Sequence, residues 1–95
     1  MEFKKEQIEQ LKQQHGVVFE YKTKDGKKAI FRKPTFVDLE IASNAGKTFL
    51  FDQKLATECF VAGDKEIVHD DKYMLGLRDW LGVIIDKVDG ELGEL

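Results

Sequence analysis

One cysteine, Cys59, stands in these 95 residues, so no disulfide closes within the chain and the fold must rest on packing. A lone thiol suits a reducing compartment. Basic runs are missing: no Lys/Arg stretch exceeds two residues, and the net charge is −3, which argues against a nucleic-acid surface. Long apolar runs are missing too. Nothing approaches the roughly 18 consecutive apolar residues of a membrane span, and residues 1–7 do not resemble a secretory leader. A soluble, cytoplasmic protein is the expectation. Proline occurs once, at Pro34, where it marks a boundary between elements.

Against these absences stand 42% hydrophobic and 35% charged residues, with seven Phe and a single Trp. That balance is globular rather than disordered. The chain reads as one domain, 1–95, because either half would be too small for a core of its own.

Residues 3–14 have helix-forming composition stopped by His15-Gly16, but carry only Phe3, Ile8 and Leu11 as large apolar groups. A surface helix follows from that. Residues 17–23 alternate apolar and polar, and 28–32 do so less cleanly, so a two-stranded β-hairpin is expected. The loop length sets its register. A two-residue Asp25-Gly26 loop would oppose Phe31 to Glu20. A three-residue Lys24-Asp25-Gly26 loop pairs Phe19 with Phe31 and Tyr21 with Ala29, and gives Gly26 the left-handed position. The three-residue loop is therefore predicted, with Phe19, Tyr21 and Phe31 packed on helices.

Pro34 ends the second strand and Thr35 caps a short helix over 36–43, with Asp38 as a capping-box partner. A further helix is predicted over 48–62. Phe51, Leu55 and Ala62 share one stripe of it with Cys59 at the edge, while Phe49, Ala56 and Phe60 fall on the opposite side. A helix in a small domain needs one apolar face to dock, so the second, at Phe49 and Phe60, is a candidate partner-binding surface. Residues 65–69 read as extended or a turn. The last helix, capped by Asp70 or Asp71 and running to about Val88, carries Tyr73, Leu77, Trp80, Leu81, Ile84 and Val88 in one stripe, with Asp79 and Asp86 opposite. The fold class is α+β: an N-terminal helix, a two-stranded β-hairpin, then a small bundle of about three helices.

No catalytic, cofactor or metal constellation emerges. Gly46-Lys47-Thr48 imitates the end of a phosphate loop, but the first glycine of that pattern would fall at Ile41. His69-Asp70-Asp71 lacks further ligands at metal-binding spacing, and its acids serve the helix start. Cys59 has no basic neighbour in sequence to activate it. A non-enzymatic protein without cofactors is expected.

Three segments carry a likeness: Phe31-Arg32-Lys33-Pro34-Thr35, Ala42-Ser43-Asn44-Ala45-Gly46-Lys47, and residues 58–67 from Glu58-Cys59-Phe60 to Ile67. With the order helix, hairpin, helices, they resemble small tail assembly chaperone proteins of tailed phages and prophages, especially of Bacteroides-type hosts. The resemblance implies a helix-rich protein that tends to oligomerise and works in the host cytoplasm. It would bind the tape measure protein during viral tail morphogenesis, through no cofactor. Two other readings stand beside it. One is a small structural virion protein (a head, connector or tail component); the other is an interaction protein acting on a host factor.

Overall fold

A computed structural model of the chain describes residues 3–46, 49–85 and 90–95. Its elements are α1 (Lys5–His15), β1 (Val18–Lys22), β2 (Lys28–Arg32), α2 (Phe36–Ala45), α3 (Phe49–Cys59), β3 (Phe60–Gly63), the single turn α4 (Glu66–His69) and α5 (Asp71–Ile84). The class is α+β, as the patterning predicts.

The hairpin has the three-residue loop. Phe19 pairs with Phe31 and Tyr21 with Ala29, the Thr23 N–H donates to the Lys27 carbonyl, and Gly26 sits at φ 94°. Phe31 is buried, and Phe19 and Tyr21 pack against the same core, so the hydrophobic pattern did select the register. The loop is held from both sides. Tyr73 of α5 donates its hydroxyl to Asp25 at 2.5 Å, and Lys27 forms an ion pair with Glu66 at 2.8 Å.

The sheet has a third strand that the helical reading of 48–62 conceals. α3 stops at Cys59, and Phe60–Gly63 turns back along β2, giving the antiparallel order β1-β2-β3. Aromatic and β-branched residues at Phe60 and Val61 suit a strand, and Gly63 at φ 118° ends it. Ala29 pairs with Gly63, Ile30 with Ala62 and Phe31 with Phe60, so Val61 is the extra residue of a bulge. Asp64 closes the ladder, its N–H donating to the Lys28 carbonyl and its carboxylate accepting from the Lys28 N–H.

α1 buries no residue completely, and Gly16 ends it, as its thin apolar content implies. Thr35 caps α2 with a full capping box: its hydroxyl accepts from the Asp38 N–H, while the Asp38 carboxylate accepts from the Thr35 N–H. The reading of 65–69 as extended or a turn resolves into the helical turn α4, which buries Ile67 and Val68. Asp70 caps α5 by accepting from the Lys72 N–H.

The core centres on α5, whose predicted stripe supplies Tyr73, Leu77, Leu81 and Ile84, buried against Phe31, Leu55, Cys59 and Ile67. Trp80 is the correction. It is 57% exposed, and Met74 takes its place in the buried stripe. At 100° per residue the buried side chains of α5 span the arc from Tyr73 to Met74, and Trp80 falls about 20° beyond the Tyr73 edge. Asp79 is exposed. Val88 and Asp86 of the predicted stripe and its opposite face lie outside the described residues, as do Lys47 and Thr48 of the phosphate-loop mimic.

Candidate functional site

The surface is marked by large apolar side chains left uncovered on three helices. On α3 and α5 they form a groove of about 390 Å³, with Phe49, Leu50 and Gln53 on one wall and Asp71, Met74 and Leu75 on the other. Phe49 is 47% exposed, and the Arg78 guanidinium lies 4.5 Å from its ring centroid. Arg78 also donates from Nε to the Asp52 carboxylate at 2.7 Å, which fixes the cation over the ring. Helical spacing explains the groove: α3 turns Leu55, Ala56 and Cys59 inward and leaves Phe49 and Leu50 at its rim.

A second groove of about 360 Å³ runs between β1 and α5, walled by Phe19, Tyr21, Leu77, Trp80 and Val83. A Cβ at position 76 would lie 2.9 Å from the Tyr21 hydroxyl, so glycine there leaves room for the tip of that side chain. α2 contributes a third apolar face. Asp38 and Ala42 turn inward, whereas Phe36, 84% exposed, stands with Val37 and Ile41 on the open side.

Phe49 and Phe60, the pair assigned to one partner-binding face, are separated by the fold. Phe49 remains on the surface of α3. Phe60 belongs to β3, half-buried, and meets the Phe31 ring edge-on with centroids 6.0 Å apart. Ala56, placed with them by periodicity, is buried. Phe60 and Ala62 leave the helical period because the segment changes to a strand at Phe60, whereas Phe49 and Ala56 keep it within α3.

Beneath these surfaces lies a polar knot that the sequence shows only in fragments. Arg32, at the end of β2, donates to both oxygens of Asp38 at 2.7 and 3.0 Å and to the Glu58 carbonyl at 2.8 Å. Asp38 is 5% exposed and accepts as well from the Thr35 N–H and hydroxyl. The bonds from Arg32, with those from Thr35, hold its carboxyl down at about 2. Arg32 thus fastens β2, α2 and the end of α3 together. Its guanidinium also lies near Cys59, yet burial outweighs that cation and pushes the thiol up to about 11. The signal available in sequence was Thr35-x-x-Asp38 beside an arginine three residues upstream of the cap. Spacing alone does not reveal that all three groups share one pocket.

His69, Asp70 and Asp71 lie at the α4–α5 junction with Glu66 in an open surface depression. Among the described residues no group of three or more His, Cys, Asp or Glu side chains converges for a metal ion, and no helix is long and apolar enough to cross a membrane. No known family profile, curated protein sequence or solved structure matches the chain.

Proposed function

We propose that the chain is a non-enzymatic tail assembly chaperone that binds the tape measure protein of a tailed phage during tail morphogenesis. The single observation that carries the reading is the apolar α3–α5 groove at Phe49, Leu50, Met74 and Leu75. Exposed apolar area of this kind marks binding surfaces rather than stable bare surface. A tape measure protein is long and largely helical, and before assembly it exposes apolar stripes of its own. An amphipathic helix laid in a groove is the recurrent way to cover such a stripe. The resemblance of the Phe31–Thr35, Ala42–Lys47 and Glu58–Ile67 segments to this chaperone family supports the same partner. The host cytoplasm is where such a client would be met.

The test is co-expression with tape measure fragments, with and without the exposed triple variant Phe49→Ser, Leu50→Ser, Leu75→Ser. The expected result is that the wild type raises the soluble yield of fragments and co-purifies with them, while the variant stays folded and loses both effects. Equal solubility with and without the protein would overturn the proposal. Stable incorporation into mature particles would favour a structural virion component instead.

A further inference from the structure

β1 is the outer strand of the sheet, and its free edge is regular. Because Thr23 and Lys27 form a hydrogen-bonded pair, so do Tyr21 with Ala29 and Phe19 with Phe31. The N–H and C=O groups of Val18, Glu20 and Lys22 therefore point away from β2. Among the described residues, no backbone hydrogen bond is made to them from that side.

Unpaired edges invite another strand, and charged side chains ordinarily discourage it. Here the two charges are of opposite sign and two residues apart: Glu20 and Lys22, in contact at 3.3 Å. That spacing makes the edge complementary to itself in one antiparallel register. A twofold axis at Glu20 would set carboxylate against carboxylate, and an axis at Lys22 ammonium against ammonium. An axis at Tyr21 sets Glu20 opposite Lys22 of a second copy, twice, and both residues belong to the set whose backbone groups face outward. Beside this edge lies the β1–α5 groove, where Trp80 and Val83 are exposed.

We propose that two copies of the chain join through β1, antiparallel about a twofold axis at Tyr21, into one continuous six-stranded sheet. Reciprocal Glu20–Lys22 pairs fix the register, and the contact is isologous, so it closes at two copies. The second copy covers apolar surface beside the strand and leaves the α3–α5 groove free. The inference stands apart from the tape measure reading, since the purified chain alone tests it.

The experiment is a charge exchange read by sedimentation equilibrium and native mass spectrometry. Wild type should be a dimer. Glu20→Lys and Lys22→Glu, each giving an edge of one sign, should weaken the dimer by about tenfold or more. An equimolar mixture of the two variants should restore it as a species containing one of each. Circular dichroism checks that both remain folded. Should either variant unfold, amide exchange on the wild type decides: the Glu20 and Lys22 N–H groups should exchange more slowly as protein concentration rises. A wild type that stays monomeric up to about 1 mM, variants that dimerise as tightly as wild type, a mixture no more associated than its components, or exchange independent of concentration would each overturn the proposal.

Discussion

Arg32 grips the Asp38 carboxylate with two bonds, 2.7 and 3.0 Å long, across the junction between β2 and α2. The same guanidinium donates to the Glu58 carbonyl near the end of α3, so one side chain ties three elements. A pair of this kind adds little over a well-packed apolar pair, but breaking it leaves a charge buried alone. Arg32→Met should therefore cost about 3–5 kcal/mol in a urea melt. The double variant Arg32→Met, Asp38→Leu should recover part of that loss, because no charge is then stranded.

Acid should expose the same pair. The Asp38 carboxyl is held at about 2 against an ordinary 3.8, so the folded state favours the ionised form. A depressed folded value means that the stabilisation is complete above about pH 4 and disappears as the pH falls toward 2. The size is about 2 kcal/mol. Melts of the wild type between pH 4 and 2 should lose that much more stability than melts of Asp38→Asn, which has no proton to take up there.

Two glycines with positive φ should respond differently to alanine. Gly26 sits at φ 94° with open space around its missing Cβ, so Gly26→Ala pays only for the left-handed backbone, about 1 kcal/mol. Gly63 sits at φ 118°, and a Cβ there would lie 2.3 Å from the Lys28 carbonyl oxygen. Gly63→Ala must push β3 off β2, and thermal melts should show a markedly larger loss than for Gly26→Ala.

Neighbouring positions on α5 should separate core from surface. Leu81 is buried beside Leu77, so Leu81→Ala should cost about 2–5 kcal/mol. Trp80 is exposed, and Trp80→Ser should change stability by about 0.5 kcal/mol or less. A loss at Trp80 comparable to that at Leu81 would place the indole in the core.

Local pattern was enough for the hairpin and for the starts of α2 and α5. Loop length and alternation left one register that kept Phe19, Tyr21 and Phe31 on a common face, and Thr35 and the Asp70-Asp71 pair each announced a cap, because these choices depend on residues within a few positions of one another. Tertiary structure decided the rest. Phe60 leaves the helical period because β2 offers it a ladder and the Phe31 ring, a gain that no property of 48–62 contains. Asp38 becomes a buried anion instead of a simple cap partner because Arg32 arrives from another element, and only the folded chain makes that cation its neighbour. Trp80 stays outside because the edge of a buried arc is set by what packs against the helix, whereas periodicity gives only its centre. Sequence determined each element's conformation where short-range geometry dominates; long-range partners determined which side chains became core, knot or surface.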